Sequence, residues 1–161
     1  MADFDSSSDE PFFAAIGRLT ISWAHLEAGL DFCVAIAYHS LDGDQIEQEI
    51  PRALKRKINF LRKAFKRLNA LAPYRDRFLT LADQIETESD KRHDIIHGFI
   101  VSHESQEVRM IRLRYTPEMH HEKKVTATTA SILKNTVDAT KLASQLLDLT
   151  AELLPLVQPK M

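Results

Sequence analysis

The chain has 161 residues, 44% of them hydrophobic and 27% charged, with a formal charge of -2, which is the composition of one globular domain with one core. No apolar run approaches the roughly 20 residues that cross a bilayer, and the acidic, Ser-rich start, Met1 to Glu10, lacks the basic-then-apolar pattern of a secretory signal. A single cysteine, Cys33, excludes an internal disulfide, so the expectation is a cytoplasmic protein with a flexible tail at 1–10 and a single domain over 11–157.

Glycine is scarce, and apolar residues recur at spacings of three and four, so the elements read as amphipathic helices. The first runs from about Pro11 to His39, with Ile16, Leu19, Trp23, Leu26, Leu30, Cys33 and Ala37 as its inward stripe, and ends before the turn-forming Leu41-Asp42-Gly43-Asp44. The second runs from about Pro51, suited to a first helical turn, to Leu71, with Leu54, Ile58, Leu61, Phe65 and Leu68 inward. The third spans about Tyr74 to His97, and its stripe reads Phe78, Leu81, Ile85, Glu88, Arg92, Ile95 or Ile96, and Phe99. Gly98 falls where a helix commonly takes a left-handed terminal residue. Alternation over Phe99–Ser102 and Glu107–Tyr115, around the polar His103 to Gln106, predicts a short β-hairpin. Thr116 to Thr126, with His120 and His121, reads as a connector. A fourth helix starts at a Thr128 or Thr129 cap, carries Leu133, Val137, Leu142, Leu146, Leu149 and Leu153 inward, and stops at Pro155. The fold class expected is all-α: a four- to five-helix up-and-down bundle with a hairpin or irregular insertion at about 99–127.

The net charge conceals an uneven distribution. Acid collects in the first ten residues and in Asp42 to Glu49, whereas Arg52, Lys55, Arg56, Lys57, Arg62, Lys63, Lys66 and Arg67 follow one another with no acidic residue among them. This run is either a polyanion-binding surface, with Arg52, Lys55, Arg56, Arg62, Lys63, Lys66 and Arg67 as RNA contacts, or a solvated helix face beside an acidic neighbour.

Two charged residues interrupt the apolar stripe of the third helix. Glu88 and Arg92 stand four apart, the favourable order for a helix ion pair, and a pair on a buried stripe is tolerated chiefly when fully hydrogen-bonded or at an interface. Downstream, Arg92-His93-Asp94-Ile95-Ile96-His97-Gly98 sets an arginine five positions before a histidine, with a polar residue directly after the arginine. This resembles the motif of the HEPN superfamily (higher eukaryotes and prokaryotes nucleotide-binding domains), in which Arg and a polar residue precede His by a short spacer. The likeness extends to the Trp23 to Glu27 run in a long first helix and to the order of the helices.

The resemblance implies a metal-independent endoribonuclease, of a kind found among toxins and phage-defence enzymes, whose active site is shared across a homodimer. It makes Arg92 and His97 the catalytic residues, with Glu88, His93 and Asp94 in support. The partners implied are RNA or a nucleotide, a second copy of the chain and an antitoxin protein; no membrane, cofactor or metal is implied. The chemistry fits, because histidine changes charge near neutral pH and exchanges protons with a ribose 2′-hydroxyl or a 5′-oxygen, while a guanidinium holds a phosphate and stabilises its transition-state charge. A helix C-terminus favours a protonated His97 and the acid role. Positions 92 and 97 nevertheless point about 140° apart on an ideal helix, so one helix alone does not bring both to one phosphate. The chain departs from the family in having Phe99 where some nucleotidyltransferase-paired toxins carry Tyr, and His93 where many members have Asn.

Two other readings compete. His93-Asp94-Ile95-Ile96-His97 has the outline of a zinc-protease helix motif, but aspartate is a methylene short for the base, and His103, His120 and His121 show no ligand spacing. His25 and His39 read as ordinary helix residues. The alternative function is a non-catalytic nucleotide- or RNA-binding or interaction module using the same residues. No Gly-rich phosphate loop is present, which disfavours nucleotide hydrolysis.

Overall fold

A computed structural model describes residues 9–104, 107–115 and 120–157. Most of the tail expected at 1–10, the tip of the hairpin and residues 116–119 of the expected connector lie outside them. Among the described residues the elements run α1 (Glu10–Ala35), α2 (Leu54–Arg67), α3 (Arg75–Ile96), β1 (Phe99–Glu104), β2 (Glu107–Tyr115), β3 (His120–Thr128) and α4 (Thr129–Leu153), with short π and 3-10 turns between and after helices. The protein is thus mostly helical, with a small sheet before the last helix, and not strictly all-α. Two compact units are distinguished, Met1–Ser22 with Thr87–Ala139 and Trp23–Glu86 with Thr140–Met161.

In the second unit the expected stripes hold. Trp23, Leu26, Leu30 and Cys33 of α1, Ile58, Leu61 and Phe65 of α2, Phe78, Leu81 and Ile85 of α3, and Leu142, Leu146, Leu149 and Leu153 of α4 are all buried. Phe65 and Phe78 stack with ring centroids 4.2 Å apart, and Cys33 lies 3.4 Å from the Thr150 hydroxyl. Burial pushes the Cys33 thiol up to about 11, as befits an inert packing residue. Helix α2 begins at Leu54 behind an extended Ala53, so Pro51 precedes the helix instead of opening it. The predicted turn is real. Asp42 takes a left-handed φ of 61°, and a Cβ at Gly43 would stand 2.4 Å from the Ala37 carbonyl oxygen, so only glycine passes there.

The first unit is built on Phe12, Ala15 and Leu19 of α1, Ile95 of α3, Ile132 of α4 and the sheet residues Val108, Met110 and Ala127. The sheet is antiparallel in the order β1-β2-β3. Its third strand occupies what the sequence presents as a connector, because only Val125 and Ala127 show apolar alternation there; the inward positions before them are Lys123 and His121. Thr128 caps α4 as expected. Its hydroxyl accepts the Ser131 N–H at 3.0 Å and its N–H donates to the Ser131 hydroxyl at 3.0 Å, a reciprocal capping box. Ile132 is the residue turned inward at the start of α4, whereas its neighbour Leu133 and the next-turn Val137 are exposed, which corrects the phase of the predicted stripe.

The segment Glu10–Ser40 is long and apolar enough to cross a membrane by length and composition, with a mean hydropathy of 1.2 and 44% of the window buried within the protein. The expectation that no such run exists is therefore corrected. Its burial follows a helical stripe, Phe12, Ala15, Leu19, Trp23, Leu26, Leu30 and Cys33, the pattern of a core helix.

Candidate functional site

The last turns of α3 hold Glu88, Arg92, His93, Asp94 and, one residue past the helix, His97, all in the first unit. The His97 N–H donates to the His93 carbonyl at 3.1 Å, so the helical path continues through the histidine and stacks the two imidazoles one turn apart. Their ring centroids are 4.3 Å apart and tilted by 51°. His97 is exposed, and Arg92 and His93 are half-buried.

Glu88 is paired with Lys91 at 2.6 Å, an i, i+3 partner in place of the i, i+4 partnership suggested for Arg92. Its side chain is only 12% exposed.

Asp94 sits at the centre of the site's electrostatics. Its side chain is 9% exposed; Arg112 of β2 donates to Oδ1 at 2.6 Å, and Lys123 of β3 donates to Oδ2. Burial opposes ionisation of this carboxyl, but the hydrogen bonds from Lys123 and Arg112 outweigh it and hold the group below the usual carboxylate range. A carboxylate engaged in this way fixes the sheet to the end of α3 and does not act as a free base. Arg112 and Lys123 are cross-strand partners, and the sequence gives no cue to them, since each has other charged residues close by in its own strand.

His93 is driven toward its neutral form, first by burial and then by the positive charges of Arg112, His97 and Arg92, against a smaller opposing effect of Asp94. Two imidazoles in ring contact do not both carry charge cheaply.

Gly98 has no positive φ, so the left-handed terminus predicted for it is not formed. Its glycine requirement is steric: a Cβ there would meet the Asp94 carbonyl oxygen at 2.7 Å and the Met110 Cβ at 2.9 Å. The chain leaves α3 between the helix end and strand β2 with room for a hydrogen only. Phe99, expected inward, is 69% exposed.

The proposed RNA contacts of α2 belong to the other unit. Arg56 lies 3.7 Å from Glu47 and 3.9 Å from Glu49, Lys57 pairs with Asp31 at 2.6 Å, Arg62 with Glu86 at 2.9 Å and with Asp83, and Lys63 with Glu47 at 2.9 Å. The acidic segment therefore meets the basic one. Arg52, Lys55, Lys66 and Arg67 are exposed. Among the described residues there is no cluster of three or more side chains suited to a metal ion.

Comparison of the chain with protein-family models, with curated proteins and with solved structures finds no match.

Proposed function

We propose that the protein is a HEPN-type, metal-independent endoribonuclease that works as a homodimer, with Arg92 and His97 as the catalytic residues. The observation that carries the reading is the ring contact between a half-buried His93, driven toward its neutral form, and an exposed His97, at the same end of α3 as Arg92. The end of α3 thus offers an exposed imidazole and a guanidinium, group types suited to RNA transesterification.

In that reaction a ribose 2′-hydroxyl loses its proton to a base and its oxygen attacks the adjacent phosphorus. The bond from phosphorus to the 5′-oxygen breaks, and an acid protonates the departing oxygen, leaving a 2′,3′-cyclic phosphate and a 5′-hydroxyl. Arg92 neutralises charge on the phosphoryl oxygens, and His97 moves a proton at one of the two ribose oxygens. Two rings with centroids 4.3 Å apart stand too close to flank a phosphorus in an in-line displacement. His93 is therefore a positioning residue, and the second proton-transfer group is His97 of a second copy.

The unit also exposes large apolar side chains, among them Phe99 at 69%, Val101 at 47%, Leu113 at 48% and Val137 at 66%, and on this reading the second copy covers some of them. A role as a toxin or phage-defence enzyme held by an antitoxin belongs to the same reading.

The test is incubation of the purified chain with single-stranded and structured RNA in excess EDTA. Cleavage leaving cyclic-phosphate ends, lost in His97→Ala and Arg92→Ala, is expected. RNA that binds and stays intact would instead make this a binding module.

A further inference from the structure

The inner face of the sheet changes character along its length. Rung by rung across β2 and β3 it reads Val108 opposite Ala127, Met110 opposite Val125, and Arg112 opposite Lys123, with His121 the next position on β3. The first two rungs are apolar and packed in the core. Beyond them Arg112, Lys123 and His121 are all basic residue types.

The opposite face differs. There Glu122 and Lys124 alternate sign on β3, Arg109 is paired with Glu107 on β2, and Ile111 and the exposed Leu113 are apolar, so this face carries no run of basic residues. On the inner face Asp94 sets one negative charge against both Arg112 and Lys123, so the first basic rung keeps a net positive charge. The Lys123 side chain is 45% exposed and His121 is exposed, so this charge reaches solvent. Both Arg112 and Lys123 hydrogen-bond Asp94 at the end of α3, between Arg92 and His97 in the chain, which brings the basic rung to the end of the helix that carries the site. Like positions on one face of a strand recur about 7 Å apart, a step that suits successive phosphates of an extended chain better than the closer, paired phosphates across a duplex groove.

We infer that the basic end of the β2–β3 ladder, at Lys123 and His121, is a binding track for single-stranded RNA running from the Arg92 and His97 site, and that this track takes the place of the basic helix α2 as the substrate-binding surface. The inference rests on the ribonuclease reading and adds which surface feeds that site. On α2 much of the positive charge is already matched by carboxylates within its own unit. Lys123 shares a carboxylate that Arg112 already satisfies, so a phosphate oxygen can replace Asp94 as its partner while leaving the helix-to-sheet bond in place.

The test is equilibrium binding of a short fluorescein-labelled single-stranded oligouridylate to the full chain across a salt series, with cleavage prevented by His97→Ala in every sample. Lys123→Gln and His121→Gln together are expected to weaken binding about five- to tenfold, and loss of the Lys123 charge to lower the salt slope by about 0.7. Lys123→Arg restores binding, while Lys124→Gln on the opposite face, and Lys55→Gln with Lys66→Gln on α2, leave it within about twofold. His121→Gln alone, at an exposed position, keeps the test independent of any loss of folding at Lys123. Loss of binding in the α2 variants with none in the sheet variants overturns the track and leaves the RNA reading intact. Equal losses in all variants overturn it too, as a diffuse charge effect. A parent protein that binds no RNA at low salt overturns the track together with the function it serves.

Discussion

Arg112, in the middle of β2, donates to the carboxylate of Asp94 at 2.6 Å, and so ties the sheet to the helix three residues before His97. The pair is largely removed from water, with side chains 14% and 9% exposed, and removing one member of such a pair leaves the other with an unmatched charge. Asp94→Asn is therefore expected to cost about 3 kcal/mol, near the lower end for buried pairs because Lys123 is half exposed. Urea unfolding of both proteins at neutral pH measures it, and a change below about 0.5 kcal/mol would show that the bond does not fasten the sheet.

Acid should weaken the first unit in two stages. His93 has a folded pKa below its unfolded value, so the folded state binds fewer protons. The stability this group permits is full above the ordinary histidine range and declines as pH falls through about 6.5. Asp94 also has a lowered pKa; its contribution is present above the ordinary carboxylate value and is lost as pH falls below about 3.9. Melting temperature measured against pH is expected to show both declines, the upper one flattened in His93→Gln and the lower one in Asp94→Asn.

Gly98→Ala places a methyl group against the Asp94 carbonyl oxygen and Met110. Both neighbours belong to packed structure, so the expected loss is about 1–3 kcal/mol, or roughly 2–4 °C of melting temperature for each kcal/mol. A left-handed terminus would have made Gly98→Asn mild, since asparagine tolerates that conformation. With the steric cause, Gly98→Asn is expected to be at least as damaging as alanine, and thermal melts of both variants distinguish the two origins.

The helices were legible because burial follows a spacing of three and four residues that Leu19, Trp23, Leu26, Leu30 and Cys33 display without interruption. Legibility failed where charge replaced apolar character at an inward position. Lys123 and Arg112 face inward because Asp94, distant in sequence from both, supplies their counter-charge, and no local pattern announces that. The same tertiary cause hid β3 inside an apparent connector. At the start of α4, Ile132 and Leu133 are adjacent and equally apolar, so periodicity alone did not fix the phase. Within the candidate site, Arg92 and His97 were singled out by a resemblance to a family motif and not by periodicity, and burial distinguished His93 from His97. The matching of α2 with Glu47, Glu49, Asp31, Asp83 and Glu86 required the fold.

The most direct measurement is single-turnover cleavage of RNA in excess EDTA by samples of defined oligomeric state, in which Arg92→Ala and His97→Ala chains are each assayed alone and then mixed. The account predicts cleavage by the unmodified dimer and loss of at least about 100-fold in either variant. Because each phosphate uses His97 of both copies, it also predicts that the mixture stays inactive, a mixed dimer carrying only one His97. A folded dimer that leaves every RNA intact, or a His97→Ala chain that cuts as fast as its parent, would contradict it.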